Sequence, residues 1–251
     1  MLVQKFGGTS LASLARIQHA ARLVAAAFQK EAVCVVVSAM AGETNRLSTL
    51  ITNLLGDIPS SFEADRILSS GELVSASLLA LSLEKLGLKA RSFNAFELPI
   101  YTKGQPTRAF IESINTEPLR MCFSQKIIPV VTGFQGLDID TKRITTIGRG
   151  GSDTTAVALA HALSAKRCDI YTDIDGVYAM DPHVHADAER MDHVSYDDML
   201  VLAEKGAKVL QKESVLYAME KHVPLRVLST FYDVPGTDIA HYGEKKYVTQ
   251  R

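Results

Sequence analysis

The segment AVCVVVSAM, residues 32–40, constrains the fold of this chain more strongly than any other feature. It is a continuous β-branched run, which is typical of a strand that is covered on both faces. Strands buried in this way belong to parallel sheets with helices packed on each side. The segment therefore predicts an α/β protein with a mostly parallel central sheet.

Strands and helices alternate along the rest of the sequence. Strands are predicted at 2–6, 32–40, 88–94, 126–134, 168–174 and, as the last strand, 224–230, with a hairpin at 137–148. Helices are predicted from Ser10 to about 28, at 71–87 with Gly87 closing the helix, and at 152–163, 195–205 and 211–222. The segment 95–108 contains Pro99, Gly104 and Pro106, and it predicts a loop at the mouth of a site.

Composition excludes several classes of function. The 251 residues carry a formal net charge of -1, which indicates no nucleic-acid or membrane partner. Cys34, Cys122 and Cys168 are odd in number and far apart, which argues against a disulfide framework or a zinc site and favours a reducing compartment. No segment approaches the ~20 apolar residues that span a bilayer, and no signal peptide is recognisable. We therefore expect a cytoplasmic protein.

Four polar, glycine-rich loops follow predicted strands. They are GGTS (7–10), SAMAGETN (38–45), GRGGSD (148–153) and TDIDGVYAMDP (172–182). Ligands of open α/β sheets bind beyond the carboxyl ends of the strands, so these loops form the candidate site.

Two of these loops have an anion-binding composition, and each has a simpler interpretation. Lys5 with Gly7 and Gly8 could hold a phosphate, or the glycines could form a turn with Ser10 capping the next helix. In GRGGSD, Arg149 could clamp a carboxylate or phosphate, or the loop could be a solvated turn with a helix cap. The P-loop and the G-x-G-x-x-G motif do not occur, so any nucleotide would bind by another route.

No resident metal site is predicted. The sequence DIDG (173–176) has its glycine at the fourth position instead of the sixth, which rejects a calcium loop. The sequence HVH (183–185) with Asp187 is more typical of a surface loop than of a metal site.

Taken together, these motifs resemble the aspartate kinases of the amino acid kinase superfamily. The resemblance runs from Lys5 to about Thr237 and is carried by KFGGTS (5–10), VVVSAMAGETN (35–45), SSGELVSASLL (69–79), TTIGRGGSDTTA (145–156), YTDIDGVYAMDP (171–182), GAKVLQ (206–211) and PGT (235–237). It implies a three-layer αβα sandwich with a mostly parallel sheet. Residues 1–237 would form the catalytic domain, with ATP bound by the part from about 137, and 238–251 would be a polar, loosely held tail.

The resemblance also implies a reaction. The γ-phosphoryl group of ATP, with Mg2+, would move to the β-carboxylate of L-aspartate and give 4-phospho-L-aspartate, the first step towards lysine, threonine and methionine. By family matching, Lys5 and Lys208 would neutralise the transferring phosphoryl group, and Asp153 would orient these lysines.

Further residues match binding positions of the family. The positions that match the aspartate site are Ser38, Thr44, Glu72, Arg149, Gly150, Gly151 and Ser152. The positions that match the nucleotide site are Lys5, Phe6, Gly7, Gly8, Thr172, Asp173, Tyr178, Asp181, His183, Lys208 and Val209. His183 stands where the family usually has an arginine, so ATP affinity is expected to be weaker or pH-dependent.

Two alternatives stay open at this point. The acceptor could be another acidic compound, a choice that would depend on Tyr101, Lys103 and Arg108 in the loop 95–108. The chain could also be a non-catalytic binding protein on the same fold. The presence of Lys5, Lys208, Asp153, Arg149 and Glu72 favours the enzyme.

Family members pair through the catalytic part, so a homodimer is expected. Most of them continue into two ACT regulatory domains, whereas only about 14 residues follow Thr237 here, too few for a small domain. This predicts an enzyme insensitive to feedback unless a separate regulatory subunit joins it.

Overall fold

The chain is organised around two main sheets. The structure is a computed structural model and describes residues 1–180, 188–205 and 209–242. The strands are β1 (Leu2–Phe6), β2 (Val33–Val37), β3 (Ala90–Phe93), β4 (Ile100–Lys103), β5 (Phe110–Ile114), β6 (Ile128–Thr132), β7 (Gln135–Asp138), β8 (Ile144–Thr146), β9 (Cys168–Thr172), β10 (Val177–Tyr178), β11 (Arg190–Met191), β12 (His193–Ser195), β13 (Leu225–Ser229) and β14 (Thr237–Ala240). The α-helices are α1 (Leu14–Phe28), α2 (Glu43–Leu55), α3 (Phe62–Leu68), α4 (Ser70–Lys85), α5 (Glu117–Ser124), α6 (Gly151–Ala162), α7 (Tyr196–Glu204) and α8 (Lys212–Lys221).

The larger sheet has eight strands in the order β12-β14-β13-β9-β1-β2-β6-β3. Every pair is parallel except β13 with β14. Strand β1 lies inside the sheet, where it pairs with β2 on one side and β9 on the other. The predicted mostly parallel sheet is confirmed.

Strand β2 shows why the sheet must have two covered faces. All five of its residues are buried. Val33, Val35 and Val37 belong to one core, which α1 and α4 complete. Cys34 and Val36 belong to the other core, which contains residues of α6 and α8. Because successive strand residues point to opposite faces, this continuous apolar run joins the two cores, and the predicted αβα sandwich is confirmed.

The smaller sheet corrects one prediction. Its order is β5-β4-β7-β8, and the antiparallel β7–β8 pair is the predicted hairpin. Strand β4 occupies part of the segment 95–108 that was expected to be a loop. This strand is four residues long and stands between Pro99 and Gly104, so its alternation of buried and exposed residues was too short to outweigh the loop-forming residues around it.

The start of the first helix was also predicted wrongly. Residues Thr9–Leu11 form a short 3-10 helix, and α1 begins three residues later with Ser13 as its N-cap. The hydroxyl of Ser13 accepts from the amide of Arg16, whereas that of Ser10 pairs with the Thr230 hydroxyl. Helices α2, α3 and α5 were not predicted.

Strand 224–230 is not the last one. Strand β14 follows it and pairs with both β13 and β12, and Asp238 on β14 forms an ion pair with Arg226 on β13. The first residues of the polar tail therefore belong to the large sheet. Thr237 and Ile239 are buried, but a strand of four residues gives too short an alternation to be recognised in sequence.

The stretch formed by α3 and α4, residues 62–85, is long and apolar enough to cross a membrane. The expectation that no segment reaches that length is corrected on this point. Half of its most apolar window is buried inside the structure, where α4 packs on α1, β3 and β6. Packing in the core therefore explains the apolar composition of this stretch.

Candidate active site

An ion pair stands at the carboxyl end of the central strand β1. Lys5 is the penultimate residue of β1, and Asp153 lies in the first turn of α6. The Nζ atom of Lys5 is 2.6 Å from Oδ1 of Asp153, and each side chain is only about a tenth exposed. The structure thus brings together two of the three residues that were predicted to be catalytic. Lys208, the third, lies outside the described residues.

The two glycines after β1 pack closely against their neighbours, and one of their two amides is already hydrogen-bonded within the protein. A Cβ on Gly7 would lie 3.4 Å from the Lys5 Nζ atom, and one on Gly8 would lie 3.0 Å from the carbonyl oxygen of Ala39. The amide of Gly7 donates to the carbonyl of Tyr171 over 3.2 Å. Among the described residues, no partner accepts from the Gly8 amide. Of the two amides expected to hold phosphate, only that of Gly8 is therefore available in this arrangement.

The ring of Phe6 belongs to the core, so only its backbone is left for the candidate site. Its ring is fully buried and stacks on Tyr171 with the ring centroids 4.6 Å apart. This stack joins β1 to β9, whose carboxyl end begins the predicted nucleotide loop. Tyr171 was not among the predicted site residues, although it opens the motif YTDIDGVYAMDP.

Glu72 is a buried carboxyl group with one oxygen left over. It lies in the first turn of α4 and is 2% exposed. Its Oε1 accepts from the amide of Ala39 over 3.1 Å, and its Oε2 has no partner among the described residues. Burial raises the pKa of Glu72 to about 8. A buried, half-satisfied carboxyl group is a suitable partner for a cationic ligand.

The segment 38–45 lies beside Glu72. The hydroxyl of Ser75, one turn further along α4, donates to the carbonyl of Ser38 over 2.7 Å. Helix α4, which carries Glu72, therefore also holds the backbone of Ser38 directly after β2. Thr44 is half-buried in the first turn of α2.

Glycines allow the loop GRGGSD to approach its neighbours. A Cβ on Gly133, which follows β6, would lie 2.7 Å from the Cβ of Ser152. Gly150 has φ +69°, and a Cβ there would lie 2.4 Å from the Cβ of Gln211. Gln211 ends the motif GAKVLQ and caps α8, so this contact links the predicted aspartate loop to the segment that follows Lys208. Sequence reasoning missed Gln211, although it is part of a quoted motif.

Arg149 is not directed onto the ion pair. It is exposed and lines a cavity of about 920 Å³ between β5, α6 and α8. The structure thus places Arg149 two residues before α6, with its side chain at this cavity, which Lys5, Asp153 and Glu72 do not line.

In the predicted nucleotide loop after β9, two hydroxyl groups donate hydrogen bonds to carboxylates of the same loop. The hydroxyl of Thr172 donates to Asp173 over 3.0 Å, and that of Tyr178 donates to Asp175 over 2.8 Å. Asp175 was not among the predicted site residues, although it lies in the same quoted motif. Val209 is half-buried, whereas Asp181 and His183 lie outside the described residues.

Within residues 1–180, 188–205 and 209–242, no cluster of three or more His, Cys, Asp or Glu side chains could hold a metal ion. A magnesium ion at this site would arrive with the phosphates of a nucleotide substrate, as is common for Mg2+.

Comparisons with known proteins show which sequences and structures resemble this chain. The amino acid kinase family matches residues 1–229. The aspartokinase of Rickettsia felis is 46% identical over 234 residues, which are 92% of this chain and 58% of that protein. The chain spans 52–60% of the length of the first four curated relatives that it matches.

Solved structures show the same fold. The aspartate kinase from Synechocystis superposes with a TM-score of 0.83 at 37% identity, over 96% of this chain and 40% of that one. Aspartokinase III of E. coli, in complex with aspartate and ADP, superposes with a TM-score of 0.81 at 29% identity, over 98% of this chain and 65% of that one.

Proposed function

The chain belongs to the amino acid kinase family, and on that premise we propose that it is an aspartate kinase. It transfers the γ-phosphoryl group of MgATP to the β-carboxylate of L-aspartate and releases ADP and 4-phospho-L-aspartate. The observation that carries this proposal is the ion pair of Lys5 and Asp153 beside a glycine loop at the end of β1. The names of the relatives, and the aspartate and ADP bound to the E. coli protein, support it.

The chemistry needs positive charge more than it needs a base. A carboxylate has a pKa near ~4, so the nucleophile is ionised at neutral pH and no proton has to be removed. The barrier comes from bringing an anion to a polyanion, which fixed cations lower. Lys5 provides such a cation, and Asp153 holds its ammonium group in place. By the family match, Lys208 provides a second one.

Aspartate also carries an ammonium group and an α-carboxylate. We assign the ammonium group to Glu72, whose Oε2 is buried and has no partner among the described residues. Arg149 would hold the α-carboxylate, and since its side chain is exposed, it would turn from the cavity to the ligand. Ser38 and Thr44 complete the acceptor site from the segment beside Glu72. Gly150, Gly151 and Ser152 extend it at the start of α6.

ATP would lie beyond β9 and the loop that follows it. By the family match, Thr172, Asp173, Tyr178 and Val209 would surround the adenosine. Gly8 offers its amide to a phosphate oxygen. By the family match, Asp181 and His183 also contact the nucleotide.

The experiment is an assay of ADP release with MgATP against L-aspartate, L-glutamate, N-acetyl-L-glutamate and carbamate. Trapping with hydroxylamine distinguishes an acyl phosphate from simple ATP hydrolysis, because only the acyl phosphate gives a hydroxamate. Aspartate should give both signals. Turnover with another acid would reassign the acceptor, and turnover with none would favour a non-catalytic binding protein.

We further propose a homodimer in a reducing cytoplasm. Helix α4 exposes the apolar side chains Leu73, Val74 and Leu81, and exposed apolar surface of this kind is typical of interfaces. The three cysteines are free and buried. Light scattering coupled to size exclusion would measure the mass in solution.

A further inference from the structure

Asp65 is a fully buried carboxylate without a cationic partner in the described part of the chain. It lies on α3, and the described hydrogen bonds of its carboxylate come from the two segments that face this helix. The amide of Thr107 donates to both of its oxygens over 3.0 Å, and the hydroxyl of Thr146 donates to Oδ1 over 2.6 Å. Burial raises the pKa of Asp65, and these hydrogen bonds oppose the rise.

The two segments that Asp65 joins each lead to an arginine. Thr107 is followed directly by Arg108, and Thr146 is followed three residues later by Arg149. Both arginines line the cavity between β5, α6 and α8. The segments also touch each other, since the amide of Ala109 donates to the carbonyl of Thr146 over 3.1 Å.

The backbone at Thr107 needs this support. Its φ is +69°, in the left-handed region that a β-branched residue rarely adopts. Such a conformation persists only where the surroundings hold it, and here the Asp65 carboxylate accepts from the amide of that same residue. An asparagine at 65 would offer one oxygen and would turn an amide group towards one of the donors.

We propose that Asp65 is a positioning residue for the acceptor amino acid: it fixes the backbone of the segments 104–109 and 145–149, from which Arg108 and Arg149 would both turn from the cavity to the same acceptor. This inference rests on the proposed function. It adds Arg108 to the groups that contact the acceptor. It also makes the affinity for the acceptor depend on a residue of α3. The ion pair of Lys5 and Asp153 has no contact with Asp65, so the phosphoryl-transfer part of the site should be independent of it.

The test compares Asp65→Asn with Asp138→Asn. Asp138, on β7 of the smaller sheet, is a buried carboxylate like Asp65. It likewise accepts from a threonine amide and a threonine hydroxyl, those of Thr141. The carboxylate of Asp138 serves the β7–β8 turn, and it accepts from neither the segment 104–109 nor the segment 145–149 in the described part of the chain. Asp65→Asn should raise the KM for L-aspartate by about tenfold or more, with kcat and the KM for MgATP within about threefold. Asp138→Asn should leave all three constants near those of the parent chain.

A second variant tests the backbone argument. Glycine adopts φ +69° without strain, so adding Thr107→Gly to Asp65→Asn should restore part of the lost aspartate affinity. Thr146→Val removes one donor and keeps the shape, and it should raise the KM for aspartate by a smaller factor. If Asp65→Asn does not fold, the change in KM caused by Thr146→Val alone decides the question.

Equal effects of Asp65→Asn and Asp138→Asn would overturn the inference, as would a parallel rise in the KM for MgATP. If the parent chain shows no turnover with aspartate, the proposed function fails instead. Hydrogen exchange then still tests the positioning role. Faster exchange at 104–109 and 145–149 in Asp65→Asn than in Asp138→Asn supports it, and unchanged exchange refutes it.

Discussion

The ammonium group of Lys5 and the carboxylate of Asp153 form a 2.6 Å ion pair that joins the central strand to the first turn of α6. Lys5→Ala should lower kcat by about a hundredfold or more, with a smaller change in the KM for aspartate, because its charge acts chiefly in the transition state. Lys208→Ala should have the same kinetic effect. Steady-state kinetics with both substrates measures this.

Loss of stability must be separated from loss of charge in that experiment. Lys5→Ala leaves the Asp153 carboxylate buried and unpaired, which destabilises the fold. The double variant Lys5→Met with Asp153→Asn removes both charges, so it should recover the urea midpoint but not the turnover. Recovery of turnover in the double variant would show that Lys5 has only a structural role.

Arg149 should behave as an acceptor anchor. Lysine cannot form the planar, two-pronged contact of a guanidinium with a carboxylate, so Arg149→Lys should raise the KM for aspartate by about tenfold at an unchanged KM for MgATP. Arg120→Lys on the exposed face of α5 is the control and should change neither constant. A rise in the KM for MgATP alone would move Arg149 to the nucleotide half of the site.

Gly150 should tolerate no side chain. Gly150→Ala combines an unfavourable φ of +69° with a Cβ position 2.4 Å from the Cβ of Gln211. Gly56→Ala separates the two causes, because Gly56 has φ +89° and open space around it. Gly56→Ala should cost about 1 kcal/mol in urea unfolding, and Gly150→Ala should cost more and also lose activity. Equal losses of stability would mean that the loop moves away from Gln211.

Glu72 should make aspartate binding depend on pH. Only its ionised form attracts the ammonium group of aspartate, and its pKa in the free protein is raised to about 8. The value of kcat/KM for aspartate should therefore rise with pH until about 8. Glu72→Gln should lower kcat/KM and remove this part of the profile. A glutamine variant with the parent pH profile would assign the titration to another group.

Stability should change with pH in the opposite sense. The pKa of Glu72 is raised from its ordinary value of 4.5, so the folded state binds a proton there more tightly than the unfolded chain does. The contribution of Glu72 to the free energy of unfolding therefore falls as the pH rises from about 4.5 to about 8. Urea unfolding of the parent chain and Glu72→Gln at the two ends of that range measures the difference.

The large sheet was predictable because its strands have strong local signals. The run Val33–Val37 is apolar throughout, and its burial on two faces follows from that pattern alone. Strands β4 and β14 were missed because each is short and adjoins proline and glycine, so pairing with neighbouring strands decides their conformation.

The candidate site was predictable only where its residues lie in recognisable motifs. Lys5 and Asp153 came from two motifs that match one family, and the structure joins them. Asp65 carries no local signal, because a single acid in a helix is usually exposed. Its importance depends on Thr107 and Thr146, which only the fold brings to it.

The position of β1 inside the large sheet also affects how this protein is made on the ribosome. Lys5 lies opposite Val36 on one side and Ile170 on the other, so one neighbour of β1 is synthesised early and the other late. Until the segment 168–172 has emerged, one edge of β1 stays unpaired, and such an edge invites pairing with other chains. Lys5, the first residue of the candidate site, is thus among the first residues to be synthesised, whereas its strand is paired on both sides only late in synthesis. Truncated products that end before residue 168 should aggregate more than products that end after β13.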